Sequence, residues 1–193
     1  MPELWEETTP DRRLNVGCGM SPLADWTNLD ADPDRADADI YADALEYLEG
    51  CDDGQYDDIY AGHFLEHLDR NAATAFLAEC YRVLALGGRL GMVVPDMREV
   101  LTRWFNGTND AVFITDRWYN LSDLDDICAV FLHGNVQASR HQWAYELDTL
   151  ARAMGAAGFG DLTEIDRYRD PRLTAGVFFQ CGLNGIKGSN DDG

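Results

Sequence analysis

Gly17 and Gly19 flank Cys18 directly after the apolar run Leu14-Asn15-Val16, and Asp30 closes the run Trp26-Thr27-Asn28-Leu29. A strand that runs into Gly-x-Gly can turn tightly and approach a ligand with no Cβ in the way. A carboxylate at the tip of the next strand can accept hydrogen bonds from both hydroxyls of a ribose. Together the two features specify a site for a nucleoside. A dinucleotide site wants a third small residue three positions on and an acid about 20 residues on. Here Pro22 takes the third position and Asp30 comes sooner, so a nucleoside fits better than NAD.

A second group of residues has metal-like spacing. His63-Phe64-Leu65-Glu66-His67 spells an inverted zinc-protease motif, with two histidines at i and i+4. That motif needs a helix interior and a third ligand downstream, whereas this one straddles a strand-to-helix turn. No metal ligand is assigned, and His67 is expected to hydrogen-bond the fold at a helix start. His63 and, far along the chain, His141 are the candidate proton acceptors, because histidine alone titrates near neutral pH unperturbed.

These residues must be held by strands and helices in alternation. Leu14–Val16, Asn28–Asp30, Ile40–Ala42, Asp58–Ala61 and Arg89–Val94 are short buried strands by pattern. Ala73, Phe76, Leu77, Cys80 and Leu84 recur at helical spacing after a capping Asp69, and Gly87-Gly88 is expected to end that helix. A second helix carries Leu147, Leu150, Ala151, Met154 and Ala157, with Gly158 as its stop. Two β-rich runs, 162–168 and 174–181, follow. Alternating β and α units imply an α/β doubly wound, mostly parallel sheet covered on both faces. The Cys18–Trp26 connection is shorter than a helical crossover needs and contains Pro22, so the first helix must shrink to about a turn.

With 193 residues, 46% of them hydrophobic, the chain suits one domain with a substantial core. Residues 97–146 form an aromatic-rich insertion expected to act as an acceptor lid, and 187–193 a flexible tail. No apolar run suffices for a membrane span, and the acidic N-terminus lacks the order of a signal peptide. Five scattered cysteines without Cys-x-x-Cys favour a reducing, cytoplasmic setting over a disulfide frame. The net charge of −20, with a single lysine, repels phosphate backbones and argues against nucleic acid as a partner. Asp enrichment with Lys depletion fits a high-salt habitat, and a GC-rich genome gives the same bias.

In order, Leu14-Asn15-Val16-Gly17-Cys18-Gly19, Asp30, Leu65-Glu66-His67, the 81–96 stretch, His141-Gln142-Trp143-Ala144-Tyr145 and Ala156-Ala157-Gly158-Phe159 resemble class I S-adenosylmethionine-dependent methyltransferases of the small type 11 group. The resemblance spans about residues 12–182. It implies a Rossmann-like seven-stranded sheet with one antiparallel strand, and S-adenosyl-L-methionine as cofactor. It implies that the Gly17, Cys18 and Gly19 backbone lies against the methionine part and that Asp30 takes the ribose hydroxyls. Ala31 would flank the adenine, Asp43 with Ala44 would meet its amino edge, and Ala61-Gly62 would sit at the fourth strand's end. The acceptor is then a small molecule or sugar precursor, methylated on O, N or C, with His141 or His63 as base. A cofactor-binding regulatory module without turnover and an NAD-dependent oxidoreductase are the alternatives. The oligomeric state is not encoded in these patterns.

Overall fold

The computed structural model describes residues 12–34, 36–107, 111–114, 117–120, 127–128, 140–165 and 179–188, with 111–114 and 117–120 described by backbone alone. Its centre is a seven-stranded sheet in the order β3-β2-β1-β4-β5-β9-β8. The first five are β1 (Arg13–Val16), β2 (Thr27–Asp30), β3 (Ile40–Tyr41), β4 (Tyr56–Gly62) and β5 (Leu84–Pro95). These run parallel to one another. β8 (Phe159–Glu164) and β9 (Gln180–Lys187) complete the sheet, and β9 alone is antiparallel to its neighbours. A separate hairpin pairs β6 (Ala111–Ile114) with β7 (Arg117–Asn120) inside the insertion. The doubly wound, mostly parallel sheet expected from the sequence is the observed one.

Helices among the described residues include α1 (Ala44–Glu49), α2 (Arg70–Val83), α3 (Met97–Phe105) and α4 (Leu147–Ala156), with a short 3₁₀ turn at Leu65–His67. α2 starts where Asp69 takes the N–H groups of Asn71 and Ala72, and it buries Ala73, Phe76, Leu77 and Cys80. Those side chains pack with Leu14, Val16, Leu29, Ile59, Leu90 and Met92 of the sheet, all fully or almost fully buried. Removing such side chains from water is the main force holding the layers together.

Two expectations need correction. Gly87-Gly88 does not end α2. The helix stops at Val83, Leu84 is already extended, and the glycines lie within β5. A Cβ on Gly88 would come 2.8 Å from the Ala85 carbonyl oxygen, and the β4–β5 register shifts between Tyr56 and Asp58. The pair therefore makes a bulge inside a strand rather than a helix stop. Lys187, expected in the tail, closes β9, and its Nζ donates to the carbonyls of Arg82 and Leu84 at 3.1 and 2.7 Å. Of the two β-rich runs, residues 166–178 lie outside the described residues, as do 189–193 of the tail and most of the insertion between α3 and Arg140.

Between β1 and β2 the shortened crossover contains turns and no helix. Asn28 replaces the missing turn of helix. Its Oδ1 accepts from Asn15 Nδ2 at 2.9 Å and from the Leu23 N–H at 2.8 Å. Its Nδ2 donates to the carbonyls of Leu23 and Trp26 and to Asp39 Oδ2. Asn15 and Asn28 are register partners on adjacent strands and are both buried. A buried amide with every polar atom satisfied is a strong specifier of local structure.

Candidate active site

Because β3, β2, β1 and β4 are parallel, their carboxyl ends share one rim, and the chain's direction of winding reverses between β1 and β4. Open α/β sheets bind ligands at such a reversal. Gly17 leaves β1 there with φ +66°, and Gly19 follows with φ +51°. The Gly17 and Cys18 N–H groups both reach the Leu29 carbonyl, at 2.8 and 3.2 Å. The two glycines are required for different reasons. A Cβ on Gly17 would lie 2.6 Å from Phe64 Cδ2, whereas one on Gly19 would meet nothing within 4 Å. Gly17 is small to fit the protein; the space over Gly19 is open for a ligand.

Asp30, half-buried at the end of β2, spans two loops. Its Oδ2 accepts the Gly19 N–H and its Oδ1 the Asp32 N–H, both at 2.9 Å. The carboxylate is thus fixed in place beside the Gly-x-Gly turn, with lone pairs to spare for hydroxyl donors. Cys18 is buried next to it. Burial first, and then the charge of Asp30, push the thiol up to about 11. Ala31 is exposed beside Asp30.

The next expected contacts divide. Asp43 caps α1: its Oδ1 accepts the Leu45 and Glu46 N–H groups at 2.9 and 3.1 Å. Ala44 and Ala61 are both in the hydrophobic core, so their side chains do not line the rim. Gly62 ends β4, and a Cβ there would come 2.6 Å from the Tyr60 hydroxyl.

His63 sits at the same rim, one residue past β4. It adopts φ +53°, a conformation that costs a non-glycine residue free energy and that clusters at functional sites. Its N–H is held by the Val93 carbonyl at 2.8 Å. Its ring lies between two acceptors: Nε2 is 2.9 Å from Gln180 Oε1, and Nδ1 is 3.3 Å from Glu66 Oε1. Gln180 reaches it because β9 is antiparallel and so starts at this end of the sheet, opposite Pro95. Burial opposes charge on the ring, but Glu66 and Gln180 outweigh it and raise the pKa above that of an ordinary histidine.

Glu66 and Gln180 were not anticipated from the sequence as site residues. Glu66 is only 1% exposed, and neither of its carboxylate oxygens has a hydrogen-bond partner of ordinary geometry. Its backbone carbonyl accepts the N–H groups of Gln142 and Trp143, and the Gln142 amide donates to the His67 carbonyl. Those bonds bring His141 onto the cluster, with Nε2 4.0 Å from Glu66 Oε1 and its ring edge-on to His67 at 4.8 Å. The sequence candidates thus come together as two groups on one rim: Gly17, Gly19 and Asp30, and His63 with His141 around Glu66.

The methyltransferase-domain family model matches residues 14–92, from β1 into β5. A search of curated proteins finds no match to the chain. Among solved structures, an S-adenosylmethionine-dependent methyltransferase from Archaeoglobus fulgidus is 15% identical, with 93% of this chain and 87% of that one covered and a TM-score of 0.58. A Thermotoga maritima protein described as a possible histamine N-methyltransferase is 14% identical, covering 91% and 82%, at 0.57. The Burkholderia thailandensis 1,6-didemethyltoxoflavin-N1-methyltransferase, solved with its acceptor and S-adenosylhomocysteine, is 18% identical, covering 92% and 71%, at 0.52. At these identities the likeness is one of fold. It agrees with the strand order, and together with the family match over residues 14–92, which include the Gly-x-Gly turn and the fixed acid of β2, it is consistent with a class I S-adenosylmethionine-dependent methyltransferase.

Proposed function

We propose that the enzyme methylates a small molecule or sugar precursor, with the cofactor over Gly17–Gly19 and Asp30 and with His63 as proton acceptor. The open space above Gly19 and the fixed Asp30 carboxylate suit the cofactor's methionine and ribose parts, respectively. When bound, the cofactor supplies a sulfonium methyl group that an acceptor atom displaces in line. The protein's task is then placement, worth several kcal/mol, and removal of the acceptor's proton.

The observation that carries the assignment is the setting of His63. It stands beside the reversal point, across from Gly17, with 40% of its side chain exposed and two acceptor oxygens against its ring. Accepting a proton gives it a second N–H, and the imidazolium then faces the Gln180 amide oxygen and the buried Glu66 carboxylate. His141, only 17% exposed and held through the backbone of its neighbours, suits an anchor for the 140–146 segment better than a base. Trp143, 42% exposed with the Arg70 guanidinium 4.8 Å over its ring, offers an apolar wall and a cation to an acceptor with a flat or anionic part. The absence of disulfides among all five cysteines supports a reducing, cytoplasmic setting.

Calorimetry with S-adenosylhomocysteine, and methyl incorporation into a panel of hydroxyl and amine acceptors, test this reading. Micromolar binding is expected, about −8 kcal/mol, and Asp30→Ala weakens it about tenfold or more. His63→Ala keeps cofactor affinity and melting temperature but loses about 10²–10⁴-fold in turnover. His141→Ala lowers melting temperature and spares turnover by comparison. Full activity in His63→Ala excludes it as the base, and tight NAD binding overturns the cofactor assignment.

A further inference from the structure

We propose that Glu66, His67 and His141 form a binding site for a divalent first-row transition metal of the zinc type, which clasps the 140–146 segment to the turn after β4. This goes beyond the methyl-transfer chemistry and does not depend on it. One ligand atom from each of the three residues lies within 4.8 Å of the others. The independent observation is Glu66 itself. Its carboxylate is 1% exposed; Oε2 has no hydrogen-bond partner, and Oε1 has only the His63 ring, 3.3 Å away and outside hydrogen-bond geometry. A buried carboxylate in that condition is costly unless a charge compensates it, and a divalent cation does so directly.

The scaffold holds all three ligands through main-chain bonds. Glu66 and His67 belong to the tight 3₁₀ turn Leu65–His67. His141 is brought in by Gln142 and Trp143, whose N–H groups grip the Glu66 carbonyl at 2.7 and 3.1 Å. The His67 and His141 rings meet edge-on rather than stacked, with 73° between their planes, so ring nitrogens can converge on one point. Bonds of about 2.0–2.2 Å to imidazole and carboxylate need ligand atoms roughly 3–3.7 Å apart, so side-chain rotations of about 1 Å close the site. Two imidazoles and one carboxylate suit zinc and its neighbours and are poor for calcium and magnesium, which take all-oxygen shells. The metal-like spacing from His63 to His67 does not give the ligand set, because the cluster is Glu66, His67 and His141, with one ligand arriving from residue 141. His63 then has a place outside the ligand set: its Nδ1, 3.3 Å from Glu66 Oε1, can orient the ligating carboxylate.

The test uses the full chain, stripped with chelator and titrated with ZnCl₂, CoCl₂ and MgCl₂ in separate calorimetric runs. One equivalent of zinc and of cobalt should bind in the micromolar range or tighter, with magnesium inert. Cobalt should give the visible absorption of a four-coordinate site, and zinc should raise the melting temperature. His67→Ala, at a partly exposed position that the core does not need, should fold normally, lose at least tenfold in zinc affinity and lose the thermal shift; Glu66→Gln should do the same. No saturable zinc binding to the wild-type protein, or equal affinity in His67→Ala, overturns the proposal. Both outcomes are read without methyl transfer, so they stand apart from any failure of the cofactor or base assignments.

Discussion

The two halves of the rim are built on opposite principles. On the cofactor side two side chains tie the loops together: Asn28 to Asn15, Leu23, Trp26 and Asp39, and Asp30 to Gly19 and Asp32. On the acceptor side a buried carboxylate, Glu66, sits among His63, His67 and His141 with its oxygens short of hydrogen bonds. The first half is finished before any ligand arrives, which keeps the ordering cost of binding low. The second keeps electrostatic demand in reserve for something that is brought to it, a proton or a cation. Both groups lie at the one point where the sheet's winding reverses, so under the proposed function a rigid cofactor seat faces a responsive acceptor wall.

If the cofactor side owes its rigidity to Asn28, removing that side chain should have the largest effect of any single change there. Asn28→Ala leaves Asn15 Nδ2, the Leu23 N–H and two loop carbonyls without their partner. At about 1–3 kcal/mol for each buried group left unsatisfied, a loss of roughly 3 kcal/mol or more is expected. For a chain of this size that lowers the melting temperature by roughly 6–12 °C. An unchanged melting curve would remove Asn28 as the replacement for the missing helix.

The two glycines sharpen the same contrast. Gly17→Ala adds a Cβ both to a left-handed residue and against Phe64, so it should cost about 2–3 kcal/mol and weaken the fold itself. Gly19→Ala meets open space and should cost only about 1 kcal/mol, from its φ of +51°. Yet Gly19→Ala should lose more cofactor affinity than stability, because its methyl group enters the ligand's volume. Denaturant midpoints and calorimetry on both variants separate the effects. Equal losses of stability in the two would mean that Phe64 does not set the choice at Gly17.

The parts of this design that were legible in the sequence are local. Gly17, Gly19 and Asp30 lie within one β-turn-β unit, and the requirement for φ > 0 and a carboxylate is written in the residue types. The second helix was legible too, because Leu147 to Ala157 keep one period and Gly158, at φ +105°, supplies its stop. Gly87-Gly88 misled, since two glycines after an apolar helical stripe look like a stop whether they end a helix or bulge a strand. Asn28 was missed as a determinant because a polar residue within a strand looks like an outward-facing position, and only its register with Asn15 shows otherwise. Glu66 was not legible as a buried charge. Its surroundings include His63 and His141, which no sequence window contains together.

Cys18 offers a gentler probe of the cofactor seat. It is 6% exposed, and burial and Asp30 hold its thiol up at about 11. At pH 7.5 almost none of it is thiolate, so it should resist iodoacetamide, while exposed Cys128 should be labelled readily. Peptide mass mapping after brief alkylation reads the two sites directly. Fast labelling of Cys18 would mean that the Gly-x-Gly turn opens more than a finished seat allows.

The smallest expected effect is also the one with a defined sign in pH. The Asp39 carboxylate accepts from the Asn28 backbone N–H at 2.8 Å and from its side-chain amide at 3.0 Å. The backbone bond first, and then the side-chain bond, hold its pKa below the ordinary carboxylate value. A folded-state pKa lower than the unfolded one contributes stability that is present above the unfolded value, near 3.9, and is lost as pH falls through the folded value. Asp39 is exposed, so solvent screens the interaction and the contribution is small. Asp39→Asn keeps an acceptor oxygen for the same two donors but cannot ionise. Its unfolding midpoint should therefore lie slightly below that of the wild-type protein by a constant amount above about pH 5, and the two curves should converge below about pH 4. Parallel curves down to pH 3 would show that Asp39 contributes by shape alone, and that the polar network of the cofactor seat ends at Asn28.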